Sequence, residues 1–253
     1  MNTKPAKRVK VAATKRTMVM PMPGCPGCQY PTVGRIIAEL LEELNLDGKT
    51  IEVVGIGCNS GVAMLNIDAI QGSHGGAPDT ATAIKRLSPD SFVYTVQGDG
   101  DCIAIGAGSF IGALTRGEMI TIIMSNNANY GTTGGQMAPT TLMGQITTTS
   151  PEGRGAATGG YPVHVAELAA TFKGVAYSAR SALTSSADYQ RTKKYIKAAF
   201  KKQIDRIGLG FVEVLTACPA NWHMSPVESL KWIREKMVTE FPLGEFKNVD
   251  HID

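Results

Sequence analysis

The sequence has no uninterrupted apolar run of about 20 residues, the length that a membrane-spanning helix requires. Its first 17 residues carry six Lys or Arg and no Asp or Glu, and they lack the apolar core of a secretory signal. We therefore expect a cytoplasmic protein without a membrane or nucleic-acid partner. Because the net charge of the chain is only +3, nucleic-acid binding through this basic arm is a weak alternative, which would show as strongly salt-dependent binding.

Also absent are a repeat of fixed period and a linker that would divide the 253 residues. A chain of this length suits one α/β domain. We predict a basic arm over 1–17, a single domain over 18–240 and a tail over 241–253. Apolar runs of strand type alternate with helical patterns, which predicts a mainly parallel sheet covered by helices on both faces. The strands are expected at 50–54, 91–96, 119–124, 174–179 and 211–215, the helices at 31–44, 79–87, 103–114, 164–172, 188–207 and 225–240, and long loops at 59–78 and 137–161.

Cysteine is scarce, and its odd count of five disfavours a disulfide framework in a cytoplasmic protein. Cys25 and Cys28 form a Cys-x-x-Cys motif that suits half of a zinc site, a redox-active pair or part of an iron–sulfur site. Cys58, Cys102 and Cys218 each lie just beyond a predicted strand, so a parallel sheet brings them to one edge. Cys102 begins an apolar helix, for which core packing is the simplest interpretation. The other four cysteines can supply the thiolates of a [4Fe–4S] cluster.

Two polar turns follow the second and third predicted strands. The first is Gly-Asp-Gly-Asp over 98–101, and the second opens with Asn-Asn over 126–127. In a parallel sheet both turns fall at the carboxyl ends of neighbouring strands, where open α/β sheets bind ligands. Glycines permit close backbone approach, a helix N-terminus favours a diphosphate, and the oxygens of Asp99 and Asn127 suit Mg2+. Either turn alone is compatible with a loop without metal, whereas the pair favours a metal–diphosphate site.

The first turn and the longer pattern Asn-Asn-x-x-Tyr-Gly-x-Thr-x-Gly-Gln over 126–136 together match the thiamine diphosphate (TPP) motif. From about residue 24 to residue 222, the chain resembles the TPP-binding β subunit of the 2-oxoacid:ferredoxin oxidoreductases. The cysteines agree, because that family carries an N-terminal Cys-x-x-Cys, a Gly-x-Gly-Cys after the first strand and a late Cys-Pro. The resemblance implies the TPP-binding fold, with the diphosphate-binding half of the site.

The resemblance also implies roles for individual residues. The implied Mg2+ ligands are the side chains of Asp99 and Asn127 and the backbone carbonyl of Asn129. Thr132 would hold the diphosphate together with nearby backbone, and His74 matches a His-Gly motif beside it. Four cysteines are implied to hold the cluster: Cys25, Cys28, Cys58 and Cys218. The whole set of implied TPP contacts is Cys58, Asn59, His74, Gly98, Asp99, Gly100, Asp101, Asn127, Asn129, Gly131 and Thr132.

The implied reaction is oxidative decarboxylation of a 2-oxoacid with coenzyme A to an acyl-CoA and CO2, with electrons passing through the cluster to ferredoxin. An α subunit would supply the pyrimidine-binding half of the TPP site and its activating glutamate. A γ subunit and a ferredoxin-like subunit would complete the complex. Two alternatives stay open, namely a TPP-dependent decarboxylase or synthase without redox function and a zinc-binding structural subunit.

The chain departs from many relatives at three positions. They often carry Arg where this chain has Gly76, Ser where it has Asn59, and an apolar residue where it has Asn129. A short neutral residue at position 76 removes a positive charge that a dicarboxylate would use. We therefore expect 2-oxoisovalerate rather than 2-oxoglutarate as the substrate.

Overall fold

One seven-stranded sheet organises the computed structural model, which describes residues 24–46, 48–60 and 65–252. The strand order is β2-β1-β3-β4-β6-β5-β7, and neighbouring strands are parallel except β5 and β7. This confirms the predicted α/β class. The basic arm predicted over 1–17 lies outside the described residues. The strands are β1 (Thr50–Val54), β2 (Asp68–Gln71), β3 (Phe92–Gly98), β4 (Thr121–Asn126), β5 (Val175–Ala182), β6 (Leu209–Leu215) and β7 (Gly244–Asn248).

Helices pack on both faces of this sheet. Side chains alternate between the faces along each strand, so β3 turns Tyr94 toward the helices over 30–43 and 186–204 and Val93 toward the helices over 77–87 and 107–116. Phe200 packs against Tyr94 with ring centroids 5.8 Å apart, and on the opposite face Phe110 packs against Phe211 at 5.3 Å. The helices are α1 (Tyr30–Glu43), α2 (Ala77–Leu87), α3 (Ala107–Arg116), α4 (Ala156–Gly159), α5 (Val165–Ala170), α6 (Ser186–Ile204), α7 (Pro219–Trp222), α8 (Pro226–Trp232) and α9 (Val238–Glu240).

Local sequence explains where several helices begin and end. Pro31 lies in the first turn of α1, where its missing N–H costs nothing. The side chain of Ser185 caps α6 by accepting a hydrogen bond from the backbone N–H of Asp188. Gly117 ends α3 in the left-handed region with φ of 61°. No helix among the described residues is long and apolar enough to cross a membrane.

The two edge strands were not predicted. β2 lies inside 59–78, which was expected to be a loop, and β7 lies inside 241–253, which was expected to be a tail. Both are short and neither is a continuous apolar run, so their sequences carry little strand signal, and pairing with β1 or β5 satisfies their backbone groups. The helix expected at 103–114 also begins differently, because residues 100–105 form a π-helical turn before α3.

Candidate active site

The two polar turns meet at one edge of the sheet, as predicted. β3 and β4 pair in parallel with Gly98 opposite Ser125, so both strands deliver the residues that follow them to the same place. Asp99 is 1% exposed and Asn127 is 2% exposed. A buried carboxylate and a buried amide therefore face each other beneath the loops at this edge.

Three oxygen atoms converge between these turns. In one orientation of the Asn127 amide, its Oδ1 lies 2.7 Å from the carbonyl oxygen of Asn129 and 3.1 Å from Oδ1 of Asp99. In the other orientation Nδ2 occupies that place and donates to both oxygens. Adjacent ligands of an octahedral Mg2+ with bonds of about 2.1 Å stand about 3 Å apart, so the first orientation fits a hard cation between the three oxygens.

The buried surroundings of Asp99 change the pKa of its carboxyl group. Burial raises its pKa to about 7, although hydrogen bonds from Thr140 and the Gly100 backbone act in the opposite direction. Thr140 is fully buried, and its hydroxyl donates to Oδ2 of Asp99. The neighbouring Thr141 hydroxyl donates to the carbonyl oxygen of Ala128 at 2.7 Å. Thr140 and Thr141, in the long 137–161 loop, thus hold both turns, and no sequence pattern pointed to either contact.

Asp101 organises the loops around the site. Its Oδ1 lies 2.6 Å from Nδ1 of His74 and accepts the backbone N–H of Gly75 at 2.8 Å and of Ile56 at 3.3 Å. Its Oδ2 accepts a hydrogen bond from the side chain of Gln97 at 2.6 Å. The carboxylate therefore ties the loops after β1 and β2 to the end of β3. Asp101 also lines the cavity, where a diphosphate contact of its backbone was implied.

A cavity of about 290 Å3 opens above these turns. Gly100 forms part of its wall, and a Cβ added there would lie 2.4 Å from the Tyr130 ring. Only glycine therefore fits beneath this ring, whose hydroxyl donates to the Gly100 carbonyl at 3.2 Å. Of the implied cofactor contacts, Asn59 and Asn127 do not line the cavity. Those that line it are Cys58, His74, Gly98, Asp99, Gly100, Asp101, Asn129, Gly131 and Thr132.

One of the four candidate cluster cysteines, Cys58, lines the same cavity. The pKa of Cys28 is raised to about 11, mainly by burial and also by charge repulsion from the thiolates of Cys58, Cys218 and Cys25. These four side chains are thus electrostatic neighbours. Within the described parts of the chain, no three His, Cys, Asp or Glu side chains are grouped so as to hold a single metal ion. A four-iron cluster places each thiolate on a separate iron, which is a wider arrangement than one shared ion. Cys102 is fully buried in the apolar core, as its sequence context suggested.

A buried ion pair supports the second turn. The Arg180 side chain is fully buried, and its Nε donates to Oε2 of Glu213 at 2.8 Å. The other oxygen of Glu213 accepts from Nδ2 of Asn126 at 2.7 Å, and Oδ1 of Asn126 accepts the backbone N–H of Ala128 at 2.9 Å. Ala128 has a φ of 56°, an uncommon conformation for a residue with a side chain. The Arg180–Glu213 pair therefore fixes a strained turn that carries Asn127.

We expect Arg180→Met to lower the free energy of unfolding by about 3–5 kcal/mol, because it leaves Glu213 buried without its positive partner. Urea denaturation measures this effect. The matched control is Arg191→Met, which removes an ion pair with Asp188 at 3.1 Å on the surface. That change should cost less than about 1 kcal/mol. Equal losses in the two variants would contradict the role assigned to Arg180.

Buried parallel strands, an oxygen cluster suited to a hard cation and a glycine-walled cavity define a domain that binds a diphosphate cofactor. Comparison with known proteins specifies the cofactor. Residues 55–214 match the family model for the thiamine pyrophosphate enzyme, C-terminal TPP binding domain.

Two kinds of relative share most of the chain. A ketoisovalerate oxidoreductase subunit VorA of Methanothermobacter thermautotrophicus is 36% identical over 226 residues, which are 88% of this chain and 47% of that protein. A 2-oxoglutarate synthase subunit KorB of Archaeoglobus fulgidus is 35% identical over 224 residues, which are 87% of this chain and 78% of that protein. The chain spans about half the length of the ketoisovalerate relatives that it matches.

A solved structure shares the fold. The 2-oxoglutarate:ferredoxin oxidoreductase from Magnetococcus marinus, with 2-oxoglutarate, coenzyme A and succinyl-CoA bound, matches 93% of this chain and 84% of its own chain with a TM-score of 0.76 and 21% identity. Together these comparisons show that the chain belongs to the family of TPP-binding subunits of the 2-oxoacid:ferredoxin oxidoreductases.

Proposed function

We propose that this chain is the β subunit of a 2-oxoacid:ferredoxin oxidoreductase that binds both Mg2+–TPP and a [4Fe–4S] cluster. The supporting observation is that Cys58 lines the cofactor cavity and places its Sγ 3.0 Å from Oγ1 of Thr132. A proposed cluster ligand thus touches a residue proposed to hold the diphosphate. This proximity suits an enzyme that passes electrons directly from its cofactor to a cluster, and a decarboxylase without redox function has no use for it.

The residues of this chain divide the work between the two groups. Asp99, Asn127 and the carbonyl of Asn129 would hold Mg2+, while Thr132 and the backbone near Gly131 would bind the diphosphate. When bound, TPP supplies the electron sink that a 2-oxoacid needs in order to lose CO2. The protein's part is to fix the cofactor by one end and to exclude water from the buried Asp99. The implied cluster ligands are Cys25, Cys28, Cys58 and Cys218.

The other subunits of the complex are part of this proposal. The relatives are named as subunits, and their names describe oxidoreductases or synthases acting on ketoisovalerate or 2-oxoglutarate. We infer that an α subunit contributes the pyrimidine-binding half of the TPP site. Coenzyme A would accept the acyl group, and ferredoxin or a ferredoxin-like subunit, with a γ subunit, would carry the electrons away.

Catalytic turnover of the anaerobically purified complex tests this function. We expect reduction of ferredoxin that requires both a 2-oxoacid and coenzyme A, with one acyl-CoA and one CO2 formed for every two electrons. Release of CO2 without ferredoxin reduction would instead identify a non-redox TPP enzyme. Failure to bind TPP, together with stoichiometric zinc, would identify the zinc-binding alternative.

The choice of 2-oxoacid rests on Gly76, which lies at the start of α2, two residues from the cavity-lining His74. We propose a branched-chain monocarboxylate, 2-oxoisovalerate, because no cation stands at this position. Gly76→Arg is expected to raise the ratio of kcat/KM for 2-oxoglutarate over 2-oxoisovalerate by about tenfold. A Cβ at Gly76 would lie 2.3 Å from the hydroxyl oxygen of Ser73, which can rotate away, and 3.6 Å from the backbone carbonyl oxygen of Ser73, which is an ordinary contact distance.

The matched control for this substitution is Gly48→Arg. Gly48 is exposed, and a Cβ there would meet nothing within 4 Å. Gly48→Arg adds the same charge away from the site, so it should leave the ratio of kcat/KM for the two substrates unchanged. A wild-type complex that prefers 2-oxoglutarate would overturn the substrate assignment without affecting the family.

A further inference from the structure

Cys218 has the most elaborate hydrogen-bonding surroundings of the four proposed cluster ligands. Nδ2 of Asn221 donates to its Sγ at 3.4 Å and to the carbonyl oxygen of Gly131 at 2.8 Å. Gly135 leaves room for Asn221 here, because a Cβ added at Gly135 would lie only 3.1 Å from the Cβ of Asn221. One amide thus joins the cysteine to the loop that carries the proposed diphosphate contacts.

Asn129 lies near the same sulfur. Its side chain is 3% exposed and interacts with the Cys218 thiol, while its Oδ1 is buried without a partner. Burial raises the pKa of the Cys218 thiol, and the hydrogen bonds from Asn221 and Asn129 act in the opposite direction. Burying an amide whose oxygen has no partner costs free energy. The interaction of the Asn129 side chain with the Cys218 sulfur therefore offers a reason for Asn at this position.

Asn129 also reaches the cation site, because its backbone carbonyl is one of the three converging oxygens. A single residue therefore faces the proposed Mg2+ with its main chain and the proposed cluster with its side chain. An apolar residue, which the related subunits often carry here, would keep the first contact and lose the second.

On the basis of the proposed function, we propose that Asn129 and Asn221 raise the reduction potential of the cluster by donating N–H···S hydrogen bonds to the Cys218 thiolate. Reduction of a [4Fe–4S] cluster adds one electron and no other atom, so the cluster and its thiolates become more negative by one charge. A donor aimed at sulfur stabilises the more negative state. Hydrogen bonds to the sulfurs are among the features that set cluster potentials. Both asparagines are positioning residues, since neither ligates iron.

The test is a reductive titration of the complete complex with dithionite and redox mediators, followed by electron paramagnetic resonance of the reduced cluster. Asn129→Leu keeps the size of the side chain and removes its donor. At a fixed solution potential, we expect the ratio of reduced to oxidised cluster to fall by about tenfold, which corresponds to about 59 mV for a one-electron couple. Asn221→Leu should shift the potential in the same direction but should also weaken TPP binding, because it releases the Gly131 carbonyl.

Three measurements keep the outcomes separate. Asn248→Leu makes the same chemical change on the exposed edge strand β7 and should leave the potential unchanged. If Asn129→Leu proves poorly folded, Asn129→Ala removes the same donor without adding bulk. An unchanged potential in a variant that retains iron and TPP would overturn this inference alone. If the wild-type complex contained no iron, this result would instead overturn the proposed function, and the present inference would fail with it.

Discussion

Asp99→Asn is expected to lower the affinity for TPP in the presence of Mg2+ by at least about 100-fold. Loss of an outer-sphere partner of a metal ligand typically costs 10–100-fold in metal affinity, and Asp99 is proposed as a direct ligand. The substitution preserves shape and removes the charge that would balance the cation. Isothermal titration calorimetry of the complete complex with Mg2+–TPP measures this change in affinity.

Folding should not suffer in this variant, because a neutral amide is easier to bury than a carboxylate. The free energy of unfolding of Asp99→Asn should therefore equal or exceed that of the wild type, and iron content should be unchanged. Asp90→Asn is the matched control, since Asp90 has a side chain that is 96% exposed and pairs with Arg206 at 3.2 Å on the surface. Retention of full TPP affinity by Asp99→Asn would mean that the three-oxygen site does not hold the metal.

Cys218→Ala is expected to lose iron and keep TPP, which is the reverse of the result expected for Asp99→Asn. Removing one of four proposed thiolates should lower iron from about four atoms per chain to less than about one, because the cluster requires four protein ligands. TPP binding should persist, since Asn221 still donates to the Gly131 carbonyl at 2.8 Å. Iron and sulfide analysis and TPP titration on one anaerobic preparation measure both effects.

Cys102→Ala provides the matched control for this substitution. Cys102 is fully buried in the apolar core between α2, α3 and the sheet, so its loss should cost about 1 kcal/mol of stability and no iron. If both cysteine variants kept their iron, Cys218 would not be a cluster ligand. If Cys102→Ala lost iron as well, iron loss would report general damage to the fold.

The sequence was sufficient to predict the centre of this molecule. β3 and β4 are continuous apolar runs that end in glycine, aspartate and asparagine, and buried parallel strands of this kind have a strong signal. Once two such strands are neighbours, their following turns must meet, so Asp99 and Asn127 could be placed together without a structure. The cysteines beyond the predicted strands already pointed to a cluster at the same edge, and the family resemblance added the backbone carbonyl of Asn129.

The parts that escaped prediction depend on contacts distant in sequence. β2 and β7 become strands only because an inner strand offers them backbone partners. Thr140 looked like one of many threonines in a long loop, yet it donates to Asp99. The contacts of Asn129 and Asn221 with Cys218 likewise join three separate segments. The secondary-structure propensity of a short segment contains no information about contacts between residues that are distant in the sequence.

The most direct test of the proposed function is the content of iron, acid-labile sulfide, zinc and TPP in the protein purified without oxygen together with its native partners. We predict about four iron and four sulfide attributable to this chain, with about one TPP, as expected for a single [4Fe–4S] cluster beside one cofactor. TPP without iron would support the TPP site but would contradict the proposed cluster and its redox function. Zinc without iron, sulfide or TPP would contradict the assignment of both sites.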